Sequence, residues 1–314
     1  MDPGAAPLPD AELARRIGCG EEALTLCRRL ELVDLHVDTF IPPRLWGYDP
    51  LVRHRRALLG RWWFGHLDLP RLRDGGLDGA MWSITTNPLR GAQGRWRAFQ
   101  ANLRGLKGLV ERSEGSLGIA RTLAEYRAVR ARGAHAVLVS IQGGNAVDAA
   151  PEGIGSVAPD VVRATVVHLT NSGLGATSSP LGALRRDKGL SERGAAFVRG
   201  CNAHRVFVDL AHIHERAFWD AVSVQDPGQP LLATHTGVAG VRPHWRNLDD
   251  RQIEAIAATG GVVGIIFSEA FLRRTGGPRD GAMVVEHMQH VIDVAGEDFA
   301  AVGSDYDGMI VPPR

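Results

Sequence analysis

The sequence is poor in cysteine and has no excess of charge of one sign. Its three cysteines, Cys19, Cys27 and Cys201, are widely spaced and form no CxxC pair, which argues against a disulfide framework and against a cysteine-type zinc site. Lys and Arg total 36 against 35 Asp and Glu, for a net charge of +1. A nucleic-acid-binding protein would carry a basic excess, so nucleic acid is not expected as a partner.

Long hydrophobic runs are also missing. The longest apolar stretch, GGVVGIIFSEAF (260–271), is too short and too rich in glycine to span a bilayer, which needs about 20 residues. The N-terminal segment MDPGAAPLPDAELARR lacks the basic start and apolar core of a signal peptide. We therefore expect a soluble, cytoplasmic chain with no membrane partner.

What the sequence does contain is a series of short apolar runs separated by segments with helical patterns. Such runs, bounded by turn residues, are typical of buried parallel strands. Eight are predicted, at 32–38, 79–85, 136–142, 164–171, 206–212, 231–235, 262–267 and 300–305. Eight alternating strand and helix units predict an α/β fold of the TIM-type (β/α)8 barrel class. A doubly wound open sheet is the alternative, but no GxGxxG follows the first run.

Helices are predicted between these strands and before them. The segments are 191–204, 214–222, 249–259 with Asn247 as the cap candidate, 282–295, and one or two helices within 86–132. We expect residues 1–30 to form an N-terminal helical segment and 31–314 to form a single barrel domain.

The chain ends soon after the eighth predicted strand. The barrel is therefore expected to lack its final helix and C-terminal segment. Apolar positions near Val302 and Ile310 should then be exposed, or covered by a helix at 11–30 or by a partner; a truncated product is the other explanation.

A basic and aromatic cluster precedes the second strand. It consists of Arg53, His54, Arg55, Arg56 and Arg61 beside Trp62 and Trp63. Because the whole chain is nearly neutral, we interpret this cluster as a solvated loop or helix face.

Ionisable residues lie at the ends of several predicted strands, where barrel enzymes build their sites. Strand one ends in His36-Val37-Asp38, and residues i and i+2 of a strand share a face. An imidazole and a carboxylate placed together suit a divalent metal such as zinc, although a structural hydrogen-bonded pair is the commoner explanation of this motif alone. His212 and His235 end strands five and six; each alone would be an ordinary packed histidine, but a barrel would bring them to His36 and Asp38.

Strand eight ends in the segment GSDYDG (303–308). A carboxylate at Asp305 could take a proton from an activated water and return it to a leaving amine. A simple turn explains the same segment, since Asp and Gly favour turns.

Taken in order, these segments resemble the membrane (renal) dipeptidases, zinc hydrolases of the amidohydrolase-like barrel superfamily. The matching segments are DLHVDT (34–39), DLPRLRDGGLDGAMWS (68–83), SIQGGNAV (140–147), HLTNS (168–172), DKGLSERG (187–194), VDLAH (208–212), ATHT (233–236), RNLDD (246–250), GGVVGIIF (260–267) and VGSDYDG (302–308).

The resemblance implies a role for each site residue. His36 and Asp38 would bind one zinc, and His212 and His235 would bind a second. Arg246 would bind the carboxylate of a dipeptide, although a surface salt bridge is its simpler interpretation. Asp305 would handle the proton during peptide cleavage.

Two positions depart from the pattern of the family. The glutamate that bridges both zincs is replaced by Gln142, whose amide oxygen can ligate one metal but cannot offset the charge of two. The histidine of the strand-four motif, which would polarise the scissile carbonyl, is replaced by Asn171. Loss of such a contact typically costs roughly 10²–10³ in rate, and the expectation is that Gln142→Glu and then Asn171→His would raise turnover.

The resemblance thus implies a zinc-dependent dipeptidase-like hydrolase that cleaves small dipeptides with metal-activated water. The cofactor is one or two zinc ions, with the second site weakened; Gln142 is the remaining candidate ligand, and Asn171 is a candidate for catalysis and substrate binding. The partners are a small dipeptide and, in a homodimer, a second copy of the chain. The alternatives are an inactive member that acts as a binding protein and a mononuclear amidohydrolase of another amide or lactone.

Overall fold

A parallel barrel is the main feature of the computed structural model, which describes residues 9–54, 62, 64–183 and 186–314. The strands are β1 (Leu32–Val37), β2 (Leu77–Thr85), β3 (Leu117–Ile119), β4 (His135–Gln142), β5 (Arg163–Thr165), β6 (Phe207–Asp209), β7 (Leu231–Thr236), β8 (Val263–Ile265) and β9 (Ala300–Val302). Their order is β1-β2-β4-β5-β6-β7-β8-β9, with parallel pairing throughout. Val37 bridges to Tyr306 and brings the ends of the sheet together, so the TIM-type barrel prediction is confirmed.

Strand β3 is an addition that the sequence analysis did not predict. It pairs with the first half of β4, starting at Leu117 opposite His135, whereas β5 pairs with the second half from Ser140. Three residues are too few to show a period in the sequence. Each of the eight barrel strands overlaps one of the predicted runs.

The helices cover the outside of the barrel and its ends. They are α1 (Asp10–Ile17), α2 (Glu21–Arg29), α3 (Ile41–Trp46), α4 (Leu69–Asp74), α5 (Ala92–Arg112), α6 (Leu123–Ala131), α7 (Glu192–Ala203), α8 (Glu215–Val224), α9 (Asp250–Ala258), α10 (Glu269–Leu272) and α11 (Ala282–Ala295). Short 3₁₀ helices lie at Gly144–Val147, Gly153–Ser156, Pro180–Gly182 and Glu297–Phe299. None of the helices in these described segments is long and apolar enough to cross a membrane.

The start of α9 corrects one prediction. The N-cap is Asp249, whose carboxylate accepts the backbone N–H of Gln252 while the Gln252 side chain accepts the Asp249 N–H. Asn247, the predicted cap, instead donates its amide to the carbonyls of Arg242 and Phe271. The reciprocal bond that Gln252 offers three residues after Asp249 explains why the helix begins there.

Strand β5 is much shorter than the predicted run 164–171. It ends at Thr165. The next residue, Val166, donates its N–H to the backbone carbonyl of Asp209, and the Val166 carbonyl accepts the N–H of Gly144. The following residues leave the sheet and form a loop at the C-terminal end of the barrel, where the candidate site lies.

Residues 9–30 form two helices rather than one. Gly18 ends α1 with a left-handed φ of 72°, a conformation that glycine adopts without strain. Leu13, Ala14 and Leu24 form a small cluster between the helices, separate from the main core. Ile310 is buried in the main core and Val302 is half-buried, so Ile310 is neither exposed nor part of the cluster formed by residues 11–30, contrary to the expectation.

Part of the basic and aromatic cluster lies outside the described residues, namely Arg55, Arg56, Arg61 and Trp63. Of the described part, Arg53 pairs with Asp74 at 2.7 Å. His54 stacks on Tyr48 with ring centroids 3.8 Å apart.

Candidate metal centre and active site

The first pair of candidate ligands lies at the C-terminal end of β1. His36 is on the strand and Asp38 follows it, and alternation directs both away from Val37. Both side chains are buried, with His36 Nε2 3.7 Å from Asp38 Oδ2. Asp305, which follows β9, places Oδ1 3.5 Å from the same His36 nitrogen. The closure of the barrel therefore brings the first and last candidate residues into one group.

His235 at the end of β7 joins this group. Its ring centroid lies 3.8 Å from that of His36. One donor atom each from His36, His235 and Asp305 lies within 4.8 Å of the others. We refer to these three residues as the mouth triad.

The tautomer of His235 is set by its neighbours. Thr234 Oγ1 donates to Asp209 Oδ2 at 2.8 Å, so the same oxygen accepts from His235 Nδ1 at 3.0 Å. His235 Nε2 then carries a lone pair, which faces His212 Nε2 at 2.8 Å. Asp209 thereby acts through Thr234 as the orienting group that a ligating histidine usually has.

His212 follows β6 and contacts His235, but it is not part of the mouth triad. Its Nε2 donates to His235, and its buried Nδ1 has no hydrogen-bond partner among the described residues. Burial, followed by the charge of Arg246, lowers the pKa of His212 well below its ordinary value; burial likewise lowers that of His235. Both imidazoles are therefore neutral at physiological pH and retain the lone pairs that a metal needs.

The donor chemistry fits one divalent cation. Two imidazole nitrogens and one carboxylate form a common three-ligand set for a catalytic zinc, which keeps a fourth position for water or substrate. Burial, followed by the charge of Asp38, raises the pKa of Asp305 well above its ordinary value. The raised pKa means that ionising this buried carboxyl group costs free energy. A cation at the mouth triad would offset that cost by compensating the negative charge.

Gln142 is placed where it competes with a second cation. It ends β4 and is buried. With the amide oriented to satisfy its neighbours, its nitrogen donates to both oxygens of Asp38, at 2.9 and 3.1 Å, and its oxygen accepts from His168 Nε2 at 3.2 Å. These amide hydrogens occupy carboxylate lone pairs that a bridged metal pair would use, so the residues present fit one cation better than two.

Asn171 does not reach this group. Its amide nitrogen donates to the Gly182 carbonyl at 3.0 Å, and its oxygen accepts the Thr177 N–H at 3.0 Å. The early end of β5 lets the chain turn outward before residue 171, so Asn171 holds the loop together instead of facing the mouth triad. Its role in catalysis and substrate binding stays a prediction, one that these two hydrogen bonds do not favour.

His168 is the site residue that the sequence analysis missed. It is half-buried, and its ring packs edge-on against that of His212 with centroids 4.7 Å apart. Burial lowers its pKa to about 4, so it is neutral at physiological pH. The HLTNS segment (168–172) contains this histidine, but the motif alone does not show that β5 ends at Thr165 and therefore which of its residues lies next to the centre.

Arg246 follows β7 and is almost fully buried. Its Nη2 donates to the His235 carbonyl at 2.6 Å, while Nε has no partner among the described residues. Burial lowers its pKa to about 10, which leaves the guanidinium charged at neutral pH. Arg246 and His212 both line a cavity of about 190 Å³ beside the site.

A second buried arginine supports the centre from below. Arg163 on β5 lies 3.2 Å from Asp209 and 2.9 Å from His36 Nδ1, and it donates to Ser83 Oγ at 2.8 Å. The sequence pattern alone indicates no role for Arg163 or Asp209. Their charges neutralise one another within the barrel.

Backbone strain is concentrated at the same place. His212 and Asp305 have φ values of 67° and 60°, and left-handed conformations of such residues are sparsely populated and cluster at functional sites. The Asp305 N–H donates to the His36 carbonyl at 2.9 Å. This bond fixes the carboxylate next to β1.

Fold and site together define a TIM-barrel hydrolase with a metal-type donor group at the barrel mouth. Residues 20–314 match the sequence model of the membrane dipeptidase family, peptidase family M19. The chain belongs to this family of metallo-dipeptidases.

Solved structures show the same similarity. One, described as the dipeptidase AC, a metallo peptidase of family M19, is 28% identical with a TM-score of 0.74, over 90% of this chain and 86% of that one. A metallo peptidase from Rhodobacter sphaeroides, liganded with a phosphinate mimic of the dipeptide L-Ala-D-Ala, is 26% identical with a TM-score of 0.74, over 90% and 88%. Among curated sequences, a Klebsiella pneumoniae protein described as "Uncharacterized protein in pqqA 5'region" is 33% identical over 214 residues, or 66% of this chain and 78% of that protein.

Proposed function

We propose that this protein is a zinc-dependent dipeptidase that cleaves the peptide bond of small, unblocked dipeptides. The observation that supports it most directly is the mouth triad, in which His36, His235 and Asp305 place two nitrogens and an oxygen within 4.8 Å of one another beside the buried Arg246. Family membership and a relative that holds a dipeptide mimic support the same substrate class.

His36, His235 and Asp305 would hold one cation, with Asp38 and His212 next to it. A divalent ion at this place supplies Lewis-acid activation of water and of the carbonyl oxygen. Gln142 would leave the second position of the family pattern weakly occupied, because its amide hydrogens satisfy Asp38 and its oxygen is neutral.

The remaining roles belong to side chains of the chain itself. Arg246 binds the C-terminal carboxylate of the dipeptide through its unpartnered Nε. Asp305 would hold the proton that water gives up and return it to the leaving amine, the general base and acid role of a carboxylate next to the reacting water. His168, with Nε2–H directed at Gln142, offers Nδ1 as an acceptor for a substrate N–H.

A second candidate is a mononuclear amidohydrolase that acts on another amide or a lactone. It is favoured by the bond between Gln142 and Asp38, which leaves one cation site complete and the other disrupted. The two candidates share the mouth triad and differ in whether the site requires a free carboxylate on the substrate for Arg246.

The experiment is a substrate panel with zinc-loaded protein: unblocked dipeptides, the same dipeptides with an amidated C-terminus, and simple lactones. The proposal predicts cleavage of the unblocked dipeptides and at least a tenfold lower kcat/KM for the amidated ones, because Arg246 loses its anionic partner. Cleavage of lactones or amidated substrates alone would favour the second candidate. Zinc binding without any hydrolysis would indicate a binding protein.

A further inference from the structure

The cavity beside Arg246 is small and directly adjacent to the centre. It lies between the loop after β5, the start of α8 and the loop that joins β7 to α9, and its volume is about 190 Å³. Pockets for drug-sized ligands measure about 300–1,000 Å³. A cavity of this size accommodates one amino-acid residue rather than a whole larger ligand.

The inner end of the cavity is prepared for an anion. Arg246 Nε is buried, carries a hydrogen and has no partner among the described residues. Burying an unpaired polar group is costly, and a carboxylate placed here would pair with the guanidinium. The α-carboxylate of a C-terminal residue is such a group.

The outer end of the cavity has the opposite charge. Glu215 is exposed at the first position of α8, and Asp249 uses Oδ1 to cap α9. Within the described part of the chain, the Glu215 carboxylate forms no hydrogen bond or ion pair, although its charge acts on the neighbouring His214. Trp245 is 42% exposed on the same cavity.

Two carboxylates and a partly exposed indole that line one cavity together favour a cation on an alkyl stem. The ammonium or guanidinium group gains Coulomb attraction and a cation–π contact, while the methylene groups cover the aromatic surface. An acidic side chain would instead meet Glu215 and Asp249 with the same sign of charge.

We propose that this cavity binds the C-terminal residue of the substrate and selects a basic side chain, lysine or arginine, through Glu215, Asp249 and Trp245. The inference rests on the proposed function, since Arg246 anchors the carboxylate of a dipeptide in both. The inference goes beyond the proposed function because it names the class of substrate, dipeptides with a basic C-terminal residue, and names Glu215 as a specificity-determining residue.

The test uses dipeptide analogues whose peptide bond is reduced to CH₂–NH, so that binding is measured whether or not the centre cleaves. Calorimetry compares glycyl-lysine, glycyl-norleucine and glycyl-glutamate analogues on the zinc-loaded protein. We expect the lysine analogue to bind at least about fivefold more tightly than the norleucine analogue, which matches the strength of an exposed cation–π contact and ion pair. The glutamate analogue should bind most weakly.

Two substitutions test whether the cavity causes the preference for the lysine analogue over the norleucine analogue. Glu215→Gln should reduce the preference for lysine over norleucine to less than about twofold. Glu192→Gln, at the equivalent exposed first position of α7, is the matched control and should retain the full preference. Equal binding of the lysine and norleucine analogues, no binding of any analogue, or an unchanged preference in Glu215→Gln would overturn the proposal.

Turnover of the natural dipeptides separates this inference from the proposed function. Selective binding of the lysine analogue without cleavage of glycyl-lysine would contradict the dipeptidase proposal and leave the cavity assignment standing. Cleavage of glycyl-lysine and glycyl-norleucine with equal kcat/KM, together with equal binding of their analogues, would contradict the cavity assignment and leave the dipeptidase proposal standing.

Discussion

Gln142 has an amide nitrogen where the family pattern has a carboxylate oxygen of glutamate, and this exchange changes how many cations the site can bind. A carboxylate at the end of β4 would repel Asp38 unless a cation lay between them, whereas the amide donates to both Asp38 oxygens. A hydrogen bond thus takes the place of a metal bridge. The sequence predicted a role for this position, but the partner of the amide became visible only with the side chains in place.

Gln142→Glu is predicted to increase zinc affinity by about tenfold or more and to raise turnover, because it adds an anionic ligand and frees the Asp38 lone pairs. Competition with a chelator measures the affinity, and elemental analysis gives the zinc bound per chain. Gln93→Glu, which adds the same charge on the exposed surface of α5, should change neither. Unaltered zinc affinity in Gln142→Glu would contradict the account.

The exchange of roles between Asn171 and His168 gives a second prediction. His168→Ala should lower kcat/KM by about tenfold, the scale of one lost hydrogen bond to the substrate. Asn171→His should not raise turnover, and it should destabilise the fold by about 1 kcal/mol because the bonds to Gly182 and Thr177 are lost. Kinetics and urea unfolding of both variants measure these effects. A gain of activity in Asn171→His would show that the loop reaches the centre after all.

At the scale of elements, buried polar groups join β5, β6 and β7 beneath the site. Asp209 on β6 accepts from Thr165 on β5 and Thr234 on β7, and it pairs with Arg163. Periodicity located these strands as apolar runs, but it could not show that an arginine inside one of them is compensated by an aspartate in the next. Such pairs depend on contacts between residues more than 40 positions apart.

Asp209→Asn is predicted to destabilise the protein by roughly 3–5 kcal/mol, because the guanidinium of Arg163 would remain buried without a counter-charge. Urea unfolding measures the free energy. Asp160→Asn, which breaks the more exposed pair between Lys107 and Asp160, is the control and should cost no more than about 1 kcal/mol. Equal effects of the two substitutions would contradict the importance of the buried pair.

His135, the first residue of β4, gives a prediction for pH. It accepts from Trp82 Nε1 at 3.2 Å and donates to the Leu77 carbonyl at 2.9 Å, and burial lowers its pKa from 6.5 to about 4. The unfolded chain binds this proton near pH 6.5 and the folded protein only near pH 4. The free energy of unfolding therefore falls as the pH decreases through this window, with a contribution of about 3 kcal/mol from His135.

His135→Gln removes this contribution, since glutamine can still accept from Trp82 and donate to Leu77. Urea unfolding of parent and variant between pH 7 and pH 4 should show a smaller loss of stability in the variant. The other buried histidines add to the slope in both proteins and cancel in the comparison. An identical slope would mean that His135 does not titrate in this way.

At the scale of the whole molecule, closure of the barrel creates the site. His36 and Asp305 are far apart in the sequence, and the bridge between Val37 and Tyr306 places them 3.5 Å apart. The order of apolar runs and strand-end residues was enough to predict the barrel and most members of the group. What it could not predict is where each strand ends, and the short β5 brings His168, rather than Asn171, into contact with His212 and Gln142.

The most direct measurement is a zinc titration of metal-free protein in which bound zinc and hydrolysis of an unblocked dipeptide are followed together. Turnover should rise with zinc and saturate at about one zinc per chain, and His235→Ala should lose both tight zinc binding and turnover. Full turnover in the metal-free protein, or zinc bound with equal affinity in His235→Ala, would contradict the claim that the mouth triad holds the catalytic metal.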